Sequence, residues 1–170
     1  TSDGYTITQK YDATQTEYTR PDGKKVNAYL YSFEIKTGTE TITVNPFDPK
    51  YLSWDTAKLA TFSFSFGGGG TDIFGNSTTT TTTLTMTIYK GKMITMGSYS
   101  DTASEDVLGN TTHSYSRVTY DYRYDAAKDQ LVYNTITTKT WSSGTDLYGG
   151  DWTSDGYTIT QKYDATQTEY

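Results

Sequence analysis

His113 is the single histidine of the chain, set in NTTHSYS beside Ser114. An imidazole next to a hydroxyl is raw material for acyl transfer, but that chemistry needs a carboxylate to orient the ring, and no spacing here places one. With no cysteine and one histidine, thiol nucleophiles and multi-histidine metal centres are excluded. A solvated histidine beside a loop is expected, and no catalytic residue is assigned. Acidic residues gather at Asp146, Asp151 and Asp155, and again at Asp101, Glu105 and Asp106. Such clusters invite calcium, yet neither has EF-hand or Asp-rich nonapeptide spacing, so turn formation is expected and neither a metal ligand nor a cofactor is assigned. The glycines at 67–70 precede neither Lys-Ser/Thr nor a helix, which removes the phosphate cradle and leaves a flexible bend.

Trp141, Tyr148 and Trp152 offer faces on which a sugar ring could stack, against the plainer role of core or strand-pairing aromatics. Asn76-Ser-Thr and Asn110-Thr-Thr satisfy the glycosylation sequon at loop positions, in keeping with an extracellular or cell-surface protein. Thr78–Thr83, continuing at Thr85 and Thr87, puts hydroxyls on a strand, read as a polar outward face. The formal charge of -6 argues against nucleic acid as a partner, since phosphate neutralisation needs clustered Lys and Arg. No apolar run approaches the roughly 18 residues of a membrane-spanning helix.

The elements that must position these residues carry a stronger signal. TSDGYTITQKYDATQTEY occupies residues 1–18 and recurs without a change at 153–170, an offset of 152. Divergent repeats drift over such a length; perfect identity means a recent duplication, a homogenised tandem array or deliberate construction. The copied segment stops before TRPDGKK, whose Pro-Asp-Gly is a tight-turn signature, so one strand is duplicated without its hairpin partner. The chain divides into a first copy of a linking strand (1–18), a body (19–152) and a second copy (153–170), with Tyr5, Ile7 and Tyr11, and their equivalents Tyr157, Ile159 and Tyr163, as strand-complementing side chains.

Threonine supplies about a fifth of the residues beside 17 tyrosines, a composition suited to a pleated, half-buried surface. Alternation at Tyr29, Tyr31, Phe33 and Ile35, at Phe62, Phe64 and Phe66, and at Leu84, Met86 and Ile88 predicts strands. Turns are legible at PDGK, YKGK and YDAAKDQ, and a short helical turn at NPFDPKYLSWDTAK. DIFGN, DVLGN and DLYGG share one design, Asp closing the turn, Gly ending it and two apolar residues tucked beneath the sheet mouth. The expectation is an all-β antiparallel meander of about seven or eight strands, closed as a barrel or folded as a sandwich and completed by a donated terminal strand.

In the pattern of its two ends alone, the chain resembles self-complemented fimbrial or pilus subunits, which append a spare donor strand, and equally one module of a tandem-repeat surface adhesin. The resemblance implies a non-enzymatic structural module of an extracellular fibre, its partners being copies of itself. β-Augmentation supplies the physics: ladder bonds hold and alternate side chains fill pockets. The competing reading is a secreted ligand-binding or carbohydrate-binding domain, lipocalin-like or lectin-like, with its site at the loop-lined mouth.

Overall fold

The computed structural model describes residues 4–164; positions 1–3 and 165–170, the outer ends of the two copies, lie outside the described residues. The fold is nearly all-β, 65% strand against 4% helix. Among the described residues eleven strands follow in order: β1 (Thr6–Tyr11), β2 (Thr16–Thr19), β3 (Lys25–Ala28), β4 (Tyr31–Lys36), β5 (Thr41–Val44), β6 (Thr61–Thr71), β7 (Ser77–Tyr89), β8 (Lys92–Glu105), β9 (Thr111–Asp125), β10 (Gln130–Thr145) and β11 (Asp151–Lys162). Two 3-10 turns, Pro49–Tyr51 and Thr56–Lys58, fill the stretch read as helical, each started by an Asp side chain accepting from the backbone.

Every pairing is antiparallel. β6 to β11 form a six-stranded meander, β1-β4-β5 a three-stranded sheet, and β2-β3 a separate hairpin. The outer strands β6 and β11 do not meet, so the architecture is a sandwich of open sheets and not a closed barrel. Phe33, Ile35 and Val44 of the small sheet pack on Phe64, Met86 and Ile88 of the large one, with Tyr51 at the side. The core therefore covers only the β6–β7 end of the large sheet, and β9 to β11 have no opposing layer in that cluster. More strands form than the expected seven or eight, in part because the copied segment breaks at Asp12–Gln15 into β1 and β2, with β2 crossing the copy boundary to pair with β3. The duplicated unit is thus more than one strand, and β1 pairs with β4, not with the strand that directly follows PDGK.

Local chemistry explains the turns. Lys90 (φ 49) and Gly91 (φ 79) take the left-handed geometry that matches hairpin twist between β7 and β8. The glycines at 67–70, expected to bend, instead extend β6 opposite Thr78–Thr81. A Cβ on Gly67 would lie 2.3 Å from the Thr80 carbonyl oxygen, so this edge approaches its neighbour more closely than a side chain allows. The threonine run is likewise not one outward face. Thr80 and Thr82 bond to Thr102 and Ser100 on one side, Thr83 bonds to Ser65 on the other, and Thr87 is fully buried, donating to the Ala60 carbonyl.

The three related loops fold alike and lock to one another. In the first, Asp72 Oδ1 accepts from the Phe74 and Asn76 amides and Oδ2 from Asn76 Nδ2, while Asn76 Oδ1 accepts from Val107 N of the second loop at 3.2 Å. Asn110 repeats this, its Nδ2 bonded to Asp106 and its Oδ1 accepting from Leu147 N of the third loop at 2.9 Å. Gly150 ends the chain of links, because it has no side-chain amide to pass on, only a backbone N–H that donates to Asp146 Oδ1. With the Asp inside each turn, the apolar pair lies at the outer apex: Ile73 is 93% and Tyr148 89% exposed, not tucked under the sheet.

Asp72 and Asp106 are held below the ordinary carboxylate range, first by the side-chain amides of Asn76 and Asn110. A carboxylate whose folded pKa is depressed contributes stability above its unfolded pKa and loses it as pH falls through the folded value. Asn110→Ala should therefore lower the melting temperature at neutral pH. It should also shrink the further loss on acidification below about pH 4, measured by thermal melts across pH.

Candidate functional site

The two copies of the repeated segment end up on different open edges. In the first, Ile7 lies opposite Ile35, Thr8 opposite Glu34 and Tyr11 opposite Tyr31. Alternate side chains face the core: the Tyr5 ring sits 5.0 Å from both Phe64 and Phe66, and Tyr11 5.5 Å from Tyr31, whose hydroxyl donates to the Gly91 carbonyl. On the opposite face Lys10 Nζ lies 2.8 Å from Glu34 Oε2, and Lys36 Nζ lies 3.3 Å from Glu34 Oε1. The Lys10 hydrogen bond, ahead of Lys36, holds the Glu34 carboxyl below its usual range. This edge is matched in shape and charge to the strand laid on it.

The second copy lies along β10. Ile159 is opposite Thr138, Thr160 opposite Thr137 and Lys162 opposite Thr135. No carboxylate takes the Glu34 role for Lys162 at that register position. Upstream, Gly156 (φ 58) carries an irregularity where Trp141 is skipped; a Cβ there would sit 2.0 Å from the Thr140 carbonyl oxygen. Tyr163 packs on Tyr133 at 5.6 Å and continues the cluster of Tyr120 and Tyr122, but among the described residues no ring equivalent to Phe64 and Phe66 covers Tyr157. Tyr157 and Ile159 are 59% and 57% exposed, against 39% for both Tyr5 and Ile7. Tyr5 and Ile7 are thus better covered than their equivalents Tyr157 and Ile159, whereas Tyr11, 63% exposed, is barer than the half-buried Tyr163. The strand-complementing positions named from the sequence are all in ladders or directly at their ends, and the described part of each copy is paired.

His113 is not in a loop. It lies within β9 opposite Ala103, with Nδ1 3.0 Å from Asp101 Oδ1 and its ring stacked 5.8 Å from Tyr115. The carboxylate partner is therefore present, but Ser114, the adjacent hydroxyl, points to the other face of the strand, and among the described residues no nucleophile is bonded to the imidazole. Trp141 and Trp152 are opposite Tyr115 and Gly144 respectively, and the three-residue step from 141 to 144 puts the two indoles on opposite faces of the sheet. Trp152 covers Gly144, Tyr148 stands at a loop tip, and the three make no common platform. Trp141 instead stacks on Tyr115 at 5.2 Å beside Tyr99, flanked by Arg117 and Lys139 over the rings. Of these aromatics the sequence singled out only Trp141, and it is the register across β8, β9 and β10 that brings them together.

The acidic groups are spread over separate tasks. Asp146 closes its loop, Asp151 accepts from Thr145 Oγ1, and Asp101 holds His113. Among the described residues no group of three or more His, Asp or Glu side chains is placed to hold a metal ion. Asn76 and Asn110, the sequon residues, are the loop-linking amides. An open depression of about 410 Å³ is lined by Ser100, Thr102, Thr140, Trp141 and Tyr157 on the uncovered part of the large sheet. Among the described residues no helix is long and apolar enough to cross a membrane. No family model, no curated protein and no solved structure matches the chain.

The difference in cover between the copies is measurable. Tyr5→Ala should destabilise the chain by about 1–2 kcal/mol through lost burial against Phe64 and Phe66. Tyr157→Ala, the same substitution in the same local sequence, should stay within about 0.5 kcal/mol. Urea unfolding monitored by circular dichroism distinguishes them, and equal losses would show that the copies are equally packed.

Proposed function

We propose that this chain is a non-enzymatic structural module of an extracellular fibre or surface adhesin, joined to neighbouring modules by the segment at 1–18 and 153–170. One observation carries the reading: an identical segment forms backbone ladders on two unrelated open edges, β4 and β10. An unpaired edge is a template for association, and a sequence suited to both edges is what β-strand complementation between modules requires. The long hydroxyl-paired strands and interlocked loops suit a mechanical role without disulfides. A histidine–aspartate pair with no joined nucleophile supports no acyl-transfer chemistry.

Removing residues 153–170 should bare β10. The shortened chain should then form concentration-dependent oligomers in sedimentation velocity, and the peptide TSDGYTITQKYDATQTEY added in trans should return it to monomer. A well-behaved monomer with an unchanged melting temperature would sink the reading.

The depression that holds the Tyr157 ring among Ser100, Thr102 and Thr140 favours a second reading, a sugar- or ligand-binding domain. Under it, isothermal titration calorimetry should show saturable binding of oligosaccharides, and Tyr157→Ala should abolish it. A flat titration rejects it.

A further inference from the structure

Resting on the fibre reading, we propose that the repeated segment is one strand shared by two modules at once, bonded through one backbone edge to β10 of the preceding module and through the other to β4 of the following one. The partner is a second copy of this chain, and the shared strand makes the two sheets continuous.

The argument is one of parity. In an antiparallel ladder, opposite residues alternate between pairs that exchange N–H and C=O bonds and pairs that do not, and successive residues of a strand direct those groups to opposite edges. The β1–β4 register runs unbroken from Thr6↔Lys36 to Tyr11↔Tyr31, and its next step is Asp12 N donating to the Leu30 carbonyl at 2.7 Å. Even-numbered residues of the first copy, 6 to 12, therefore bond to β4. The β10–β11 register runs unbroken from Tyr157↔Thr140 to Lys162↔Thr135, and its next step is Tyr163 N donating to the Asn134 carbonyl at 3.0 Å. Tyr163 is the equivalent of Tyr11. Odd-numbered positions of the segment therefore bond to β10.

The two copies use opposite edges of the same strand, so nothing in the ladders prevents one strand from making both. Had the phases agreed, β4 and β10 would compete for the same N–H groups, and sharing would be excluded. Side-chain direction agrees as well. Tyr11 meets Tyr31 in one setting and Tyr163 meets Tyr133 in the other, so a shared tyrosine stands in one row between Tyr133 of the first module and Tyr31 of the next. The bare Tyr157 position gains the cover of Phe64 and Phe66 that Tyr5 has here. Ile7 would lie between Thr138 and Ile35, and Lys10 would keep Glu34.

Amide hydrogen exchange resolved by residue tests this, with an internal control, since identical sequences have nearly identical intrinsic exchange rates. In the chain itself, protection should alternate with opposite phase. Thr8 and Lys10 should be slow with Ile7 and Gln9 fast, whereas Ile159 and Gln161 should be slow with Thr160 and Lys162 fast, each contrast at least about tenfold. In a tandem chain, residues 1–152 followed by the complete 170, the alternation should vanish at the junction, every amide from Ile7 to Asp12 being slow. Matching phase in the two copies, or alternation persisting at the junction, overturns the proposal. Oligomers formed on deletion of 153–170 would still uphold the fibre reading in that event, so the two fail separately.

Proline substitution gives a second readout, because proline is tolerated where the N–H faces solvent and not where it is bonded. Thr8→Pro should lower the melting temperature more than Gln9→Pro, and Gln161→Pro more than Thr160→Pro. Both junction positions should be sensitive in the tandem chain, and an identical ranking in the two copies would count against a shared strand.

Discussion

An open β-sheet edge leaves every second residue with an N–H and a C=O that water must satisfy, and this unmet bonding capacity organises the protein. The large sheet and the small sheet are both open, and in each the edge carrying the repeated segment is closed on one side only. Antiparallel ladders bond without regard to side-chain identity, so one sequence can satisfy two edges of different composition. Side chains then decide how well it sits. Glu34 and the Phe64–Phe66 pair favour the first edge, while the second holds chiefly by backbone bonds and the tyrosine row.

The uneven core follows from the same geometry. A three-stranded sheet can cover only part of a six-stranded one, so Phe33, Ile35 and Val44 bury the β6–β7 end and leave β9 and β10 with polar or half-buried faces and β11 exposed along its length. There the chain relies on cross-strand hydroxyl pairs, stacked aromatics and the linked Asp–Asn loops. These are surface-compatible devices, each of modest strength, repeated along long strands.

Much of this was legible along the chain. Two-residue alternation marked the core strands, Pro-Asp-Gly and Lys-Gly marked hairpins, and the shared loop design announced three equivalent turns, because each depends on neighbours in sequence. The glycine run misled, since glycine serves a bend and a close strand approach equally well. The tryptophans misled too, because the face a residue occupies depends on register and on irregularities such as the one at Gly156. His113 gained its carboxylate only when β8 and β9 were set side by side.

The repeated segment separates the two levels most cleanly. Its identity, its capacity to form a strand and the side chains on each face were determined by sequence alone, and are the same in both copies. Yet residues 4 and 5 of the first copy are outside any strand, whereas the equivalent 156 and 157 lie within β11. The edge each copy uses, the phase of its bonds and the exposure of its tyrosine were decided by tertiary structure. Those properties belong to the partner strand, and a chain can present two different partners to the same eighteen residues.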